Sequence, residues 1–366
     1  MKRTPRKAKL RMATALVCAL ICFSVLHVPT SAWAAKELAI GTLFPADMSN
    51  NEGYPAIMYF KRLVEKKSGG YYEVEIFAGG QLGSEVEMTR EVRDGTTLQM
   101  VLTSSGAFSS FYKKYQAIVQ PYLFPDKLTA WTFFDSEYFS NFMGELAKIG
   151  LRYLGTMDDG GGFVVLTNSL RPVYTPKDLV GMRVRTEENP AHMAVMNGMG
   201  ASAVPMAWGQ VQTSLATKVA HAQFNAPSII VWSKLWETQK YVTYLDHIYN
   251  TNTWVVSDRL FQAQRPEHQK IILAAARAAI IYSRGVAAHL SDLAEVEAKK
   301  HGMKFNAITP ENMKKFKELG MAGYRKWAVE DFGLKAELLD EVRNEVAKAG
   351  EGVADLLVKR YAKLSE

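Results

Sequence analysis

Cysteine is all but absent. Cys18 and Cys22 are the only two in 366 residues, and both fall within the first 34. Beyond residue 34 the chain has no thiol. It can therefore form no disulfide there, hold no thiolate-bound metal and use no cysteine nucleophile. Acidic residues are missing from residues 1–34, which carry Lys2, Arg3, Arg6, Lys7, Lys9 and Arg11. Low-complexity tracts and internal repeats are also lacking, so disorder, collagen and a small disulfide scaffold are excluded. With 48% hydrophobic residues, the length allows two or three domains with substantial cores.

What residues 1–34 do contain is informative. A basic stretch, an apolar run from Met12 to about Leu26 and the A-x-A site Ala32-Trp33-Ala34 predict a secretory signal, cleaved after Ala34. An uncleaved anchor is the alternative, but the apolar run is short for a span. No twin arginine is present, which points to the general secretory route. Ile21 precedes Cys22 where a lipid-attachment site wants a small residue, so a lipoprotein is not expected. Cleavage removes six of the seven net positive charges and leaves 332 residues. The high net charge is thus an export address, and no nucleic-acid partner is expected. Later apolar stretches such as Ile271 to Tyr282 are short and interrupted by Arg277, so no stable membrane insertion is expected after cleavage.

Catalytic signatures are missing as well. There is no H-E-x-x-H, no G-x-S-x-G elbow and no P-loop. Gly79-Gly80-Gln81-Leu82-Gly83-Ser84 lacks the phosphate-binding lysine and reads as a turn before a helix. Gly198-Met199-Gly200-Ala201-Ser202-Ala203 fits G-x-G-x-x-A but follows a helix and precedes a strand, the wrong order for a pyrophosphate site. The histidines after residue 34 show no paired metal spacing, so neither a metal nor a cofactor is expected. Carboxylate pairs on helix faces read as solvated surface.

The order of elements reads as α/β. Glu37 to Leu43 predicts a strand and Tyr54 to Lys67 a helix stopped by Gly69-Gly70. Tyr72 to Ile76 alternates as a strand, and Ser84-Glu85-Val86-Glu87 is a capping box opening a helix that ends before Gly95. Leu98 to Leu102 is the next strand. Further on, Gly162 to Thr167, Met182 to Val184, Ala203 to Met206 and Val219 to Phe224 predict strands. Asn189 caps a helix with Pro190 at its first position, and Gln210 to Thr217 predicts another. From about Pro266 the sequence is mostly helical.

Arg183 and Arg185 end one predicted strand, and Asn225 ends another. Ligands of open α/β sheets bind beyond the carboxyl ends of strands. Arg185 is therefore a candidate fork for a carboxylate, and Trp208 a candidate aromatic wall. An exposed structural arginine is the competing reading from spacing alone.

An ordered set of segments carries a resemblance. Phe77-Ala78-Gly79-Gly80-Gln81-Leu82-Gly83 and Val92-Arg93-Asp94-Gly95-Thr96 open it. Thr175-Pro176-Lys177-Asp178-Leu179-Val180-Gly181-Met182-Arg183-Val184-Arg185 is its most specific part. Gly200-Ala201, Pro205-Met206-Ala207-Trp208, Gln223-Phe224-Asn225 and Glu237-Thr238-Gln239-Lys240-Tyr241 complete it. The chain resembles the substrate-binding proteins of tripartite ATP-independent periplasmic (TRAP) transporters, the DctP family, over nearly all of its length after residue 34. The resemblance implies two α/β lobes with hinge strands, a long helix crossing both and C-terminal helices. It implies that Arg185 grips the ligand carboxylate, Trp208 packs on the ligand, Asn225 supplies a polar contact and Ser104 occupies a variable pocket position. It also implies delivery of an organic acid to a small and a large permease subunit, in the periplasm and without ATP.

Departures from the family pattern bear on the ligand. No basic residue lies in Gly160-Gly161-Gly162-Phe163-Val164-Val165. Two acids common in relatives are replaced in His221-Ala222-Gln223-Phe224-Asn225. Phe163, Trp208 and Phe224 make the neighbourhood more apolar, so a monocarboxylate with an apolar or aromatic body is expected rather than a C4-dicarboxylate or a sialic acid, and Phe163, Gln223 and Phe224 join the candidate site. The alternative is that Phe163 and Phe224 face the core. Presentation to a sensor kinase and an exported α/β enzyme are the competing functions. The expected lobes are residues 35–160 with about 251–290, and 161–250 with about 291–340. Residues 341–366 form a C-terminal helical extension.

Overall fold

The structure, a computed structural model, describes residues 35–362; the predicted signal and the last four residues lie outside the described residues. Two sheets organise the chain. The first has the order β2-β1-β3-β10-β4, built from β1 (Lys36–Gly41), β2 (Tyr72–Phe77), β3 (Met100–Ser104), β4 (Leu151–Phe163) and β10 (Tyr249–Ser257). The second has the order β11-β9-β5-β8-β6-β7. Its strands are β5 (Val165–Asn168), β6 (Arg183–Thr186), β7 (Ser202–Pro205), β8 (Ala222–Asn225), β9 (Tyr241–Thr243) and β11 (Lys304–Asn306). One residue, Val164, separates β4 in the first sheet from β5 in the second, so the chain crosses as nearly continuous strand. The return crossing, from β9 to β10, takes five residues.

Helices between the strands cover the sheets as local chemistry predicts. The first, α1 (Gly53–Lys67), buries Ile57, Phe60 and Val64 on one face. The next, α2 (Glu85–Asp94), starts at the Ser84–Glu87 capping box and stops at Gly95, whose φ of 66° suits glycine. After β3 come α3 (Ser105–Phe108), α4 (Lys127–Phe134) and α5 (Glu137–Gly144). The second sheet is joined by α6 (Pro190–Gly198), α7 (Val211–Ala216) and α8 (Pro227–Trp232). Asn189 caps α6 by accepting from the Ala191 N–H, with Pro190 at the first position.

After the short α9 (Asp258–Gln262) runs α10 (Pro266–Lys300), a single helix of 35 residues and thus about 52 Å long. It is long and apolar enough to cross a membrane. Here, however, it packs on α1 and β4 of the first sheet and on α8 of the second, burying Ile272, Ala275, Ala276, Ala279 and Ile280. Arg277 does not interrupt it, because its guanidinium reaches outward to Asp135. Two further helices follow, α11 (Pro310–Lys326) and α12 (Ala336–Ala362). The last lies against α4, with Leu339, Val342 and Val346 buried.

The β4–β10 pair is irregular where it enters the second sheet. Tyr249 pairs with Phe163 and Thr251 with Asp158, so Asp159 to Gly162 bulge out of register. Gly160, Gly161 and Gly162 have φ of 66°, 103° and 89°, which only glycine adopts freely. A Cβ at Gly161 would lie 2.6 Å from the Cβ of Ser291 on α10. The glycines therefore let the crossing strand bulge while the long helix lies directly on it.

Candidate functional site

The carboxyl ends of β3, β6 and β8 meet the α8 helix around a small cavity. Arg185 stands at the centre. Strand β6 is extended, so residue 185 points to the side opposite Val184, which packs in the core. Its guanidinium is almost fully buried at 3% exposure, yet lines the cavity. Nε and Nη2 both donate to the Met206 carbonyl, at 3.1 and 2.9 Å. The Cζ atom lies 5.7 Å from the Trp208 ring. No carboxylate forms an ion pair with it among the described residues, so the remaining donors are available to a ligand. Burial pulls its pKa down, while Glu187, Glu85 and Glu188 act in the opposite direction. An arginine keeps its proton in such surroundings.

Trp208 lines the same cavity and meets a second indole, Trp232, at 5.6 Å between ring centres. The Trp232 Nε1–H is buried without a hydrogen-bond partner. Asn225 ends β8, lines the cavity and donates from Nδ2 to Gln223 Oε1 at 2.6 Å. Ser104 ends β3 and also lines it, but Glu85 engages this serine twice, accepting from the backbone N–H at 2.6 Å and from Oγ at 2.7 Å. Arg185, Trp208, Asn225 and Ser104 thus come together from distant parts of the sequence.

Phe163, Gln223 and Phe224 are placed differently. Phe163 lies outside this cavity, edge-on to Tyr249 at 4.9 Å. Phe224 is in the core between His192 and His247, at 5.7 and 4.6 Å between ring centres. Strand alternation requires this: with Asn225 facing the cavity, Phe224 faces away from it. Gln223 is fully buried behind Asn225 and donates to Thr167 Oγ1 at 2.8 Å. Neither phenylalanine lines the cavity, whose apolar surface comes instead from Leu43, Phe44, Trp208, Ile229 and Trp232.

Beside this apolar surface stand acids. Glu85, Asp159 and Glu187 all face the space, together with Asn252. None was singled out from sequence, where such carboxylates read as solvated. Burial raises the Glu85 pKa to about 7, with the Glu187 charge adding to the effect and the Ser104 hydrogen bonds opposing it. Burial also pushes Asp159 well up, reinforced by Glu52, Glu85 and Glu187. Glu187 behaves otherwise. Burial works against its charge, but His192 and Arg185 outweigh burial and hold its carboxyl below the usual range. Its Oε2 lies 3.3 Å from His192 Nδ1, without hydrogen-bond alignment. The position of Glu187 was legible in principle, because it lies two residues beyond Arg185 in an extended segment and so on the same side.

A larger groove elsewhere, bordered by Asp135, Arg152 and Arg277, offers no free charge of this kind. Arg277 and Arg284 pair with Asp135, and Arg152 pairs with Asp258.

Comparison with known proteins agrees with this geometry. Residues 46–331 match DctP, described as bacterial extracellular solute-binding protein, family 7. A solute-binding protein of Verminephrobacter eiseniae is 31% identical over 246 residues, covering 67% of this chain and 72% of that protein. The 2,3-diketo-L-gulonate-binding periplasmic protein YiaO of Escherichia coli is 29% identical over 337 residues, 91% of this chain and 98% of that protein. A TRAP periplasmic solute-binding protein from Polaromonas sp. JS666, solved bound to D-erythronate, superposes with a TM-score of 0.77 at 27% identity. The match covers 84% of this chain and 98% of that one.

Proposed function

The chain belongs to the DctP family of bacterial extracellular solute-binding proteins, the periplasmic receptors of TRAP transporters, and from that premise we propose that it captures an organic acid by one carboxylate on Arg185. The family members are receptors, not enzymes. The observation that carries the reading is Arg185 itself: a buried guanidinium at the cavity, held in place by the Met206 carbonyl and without a carboxylate partner. A buried cation of this kind costs free energy until an anion pairs with it. Only arginine also offers the fork that matches a carboxylate. Trp208 and Trp232 supply the wall, and Asn225 and Ser104 the polar contacts.

One carboxylate is proposed, not two. A second carboxylate of a C4-dicarboxylate would lie among Glu85, Asp159 and Glu187 with no second cation to meet it. The apolar or aromatic body expected of the ligand rested on Phe163, Trp208 and Phe224; of these Trp208 lines the cavity, with Phe44, Trp232, Leu43 and Ile229 beside it, and these side chains support an apolar part of the ligand. The 2,3-diketo-L-gulonate and D-erythronate of the relatives are acids with one carboxylate, in keeping with a single arginine at the cavity. We further propose cleavage of the signal after Ala34 and delivery of the acid to a small and a large permease subunit. The two lobes are set at 35–160 with about 251–290 and at 161–250 with about 291–340, followed by the helical extension 341–366. Closure of the lobes over the ligand is a population shift driven by contacts that both make to it.

The test is calorimetric titration with the acid that co-purifies, identified by mass spectrometry. Arg185→Ala is expected to weaken binding by about 100-fold or more, the equivalent of roughly 3 kcal/mol for a desolvated charge pair. Arg185→Lys recovers only part, because the ammonium lacks the fork. Affinity close to wild type in both variants refutes the assignment.

A further inference from the structure

Three carboxyl groups and one guanidinium line the cavity, and a captured acid brings a further carboxyl. Carboxylates that share a confined site cannot all stay ionised, because each raises the pKa of the others. The three acids differ in what holds them. Glu187, on the extended segment after β6, has His192 Nδ1 of α6 at 3.3 Å, and the charges of His192 and Arg185 keep it ionised. Asp159, in the bulge of β4, accepts from Asn250 Nδ2 of β10 at 2.7 Å. Burial and the neighbouring Glu52, Glu85 and Glu187 nevertheless push Asp159 well up, so it holds its proton before a solute arrives.

Glu85 stands between these two. From the first turn of α2 it shares the cavity with Ser104 of β3, Asp159 of β4, and Arg185 and Glu187 of the β6 segment. Glu87 and Glu188 border the groove at its mouth. The two Glu85 oxygens accept from neutral donors, the Ser104 N–H and Oγ, at 2.6 and 2.7 Å. Arg185 is the one cation lining the space, and its charge opposes the burial that raises Glu85 to about 7. A carboxylate seated on Arg185 cancels that support and adds a like charge beside Glu85. Both effects act in the same direction. An anion within about 5–10 Å moves the pKa of a partly buried carboxyl up by about 1–2. The protonated form is accommodated without loss of a partner, because a serine hydroxyl accepts as well as donates.

We propose that Glu85 takes up a proton as the acid binds, so that the cavity captures an organic anion and a proton together. The inference rests on the carboxylate reading above and adds the second species. Arg185 meets the anion, Glu187 stays charged beside His192, and Glu85 absorbs the added negative charge by losing its own.

Calorimetric titration with the co-purified acid, identified by mass spectrometry and supplied pure, tests this in buffers of different ionisation enthalpy. At about pH 7.5 the wild type is expected to take up at least about half a proton per solute. Its affinity should fall about fivefold to fifteenfold from about pH 6.5 to about pH 8.5, because the bound state keeps its proton to higher pH than the free one. Glu85→Gln keeps an acceptor for the Ser104 N–H and removes the titration. Uptake in this variant should drop below about 0.2 proton, with affinity varying less than about twofold over the same interval. If the variant does not fold or bind, the wild type isotope-labelled at its glutamate side-chain carboxyls decides. A labelled protonated-carboxyl C=O band should then grow in the infrared difference spectrum when the acid is added at about pH 7.5. No uptake by the wild type overturns the proposal, as does uptake that survives Glu85→Gln or the absence of a labelled band. None of these results touches the carboxylate reading, which fails separately if Arg185→Ala binds the acid as tightly as the wild type.

Discussion

Glu52 offers a stringent test of how this cavity is built. It stands immediately before α1 with no exposed surface, and its Oε1 accepts from the Gly160 N–H at 2.6 Å, in the glycine bulge of the crossing strand. The other oxygen, Oε2, is buried without a partner. Burial raises its pKa from the ordinary 4.5 to about 7; the Gly160 hydrogen bond opposes the shift and the Asp158 charge adds to it. The sign of the consequence follows from proton counting. Below pH 4.5 folded and unfolded chains are both protonated at this residue. Between 4.5 and about 7 the unfolded chain loses the proton and the folded chain keeps it, so stability falls as pH rises. At about 1.4 kcal/mol per pH unit the loss reaches about 3 kcal/mol and then levels off. Glu52→Gln keeps an acceptor for Gly160 and removes the titration. Urea unfolding, followed by tryptophan fluorescence and far-ultraviolet circular dichroism at about pH 5 and about pH 7.5, reads the difference. Both proteins should be more stable in acid, because Glu85 and Asp246 are raised to about 7 and about 6. The wild type should lose about 2–3 kcal/mol more than the variant over this interval. Equal losses would show that Glu52 ionises at its ordinary value, and the account of this buried carboxyl would fail.

Two further outcomes are expected. Asp135→Asn removes the carboxylate that pairs with Arg284, whose side chain is only 6% exposed, and should destabilise the chain by roughly 3–5 kcal/mol in chemical unfolding. Arg277→Ala breaks the half-exposed pair to the same aspartate and should cost less than about 1 kcal/mol; equal effects would refute the ranking. N-terminal sequencing of the exported protein should begin at Ala35. A mature protein that retains residues 1–34 refutes the proposed cleavage.

Much of the fold was legible because its signals are local. The capping box at Ser84, the left-handed stop at Gly95 and the Asn189-Pro190 helix start each act within a few residues, and each appears where expected. The strands that join the two sheets were not legible in this way. Only the end of β4, near Gly162 and Phe163, fell within a predicted strand. Most of it carries three consecutive glycines and two aspartates, and β10 begins Tyr-Asn-Thr-Asn-Thr, a composition that reads as loop. Their strand character comes from pairing with each other across the first sheet. Tertiary partners, not propensity, decide such segments.

The site divides along the same line. Arg185 and Asn225 were reachable because strand ends are where an α/β sheet presents its ligands. The error lay in counting phenylalanines near them without applying the two-residue period of a strand. In Gln223-Phe224-Asn225 the period permits either Asn225 or Phe224 at the cavity, and the core between His192 and His247 takes the phenylalanine. The same period applied to Arg185-Thr186-Glu187 brings an acid to the side of the arginine. Glu85 has no such signal, since its role depends on β3 ending beside the start of α2, where Ser104 meets it through two hydrogen bonds. A charge inventory of this cavity therefore needs both the alternation of one strand and the packing of another. Together they add three acids to a site whose lining also keeps Leu43, Phe44, Trp208, Ile229 and Trp232 around one arginine.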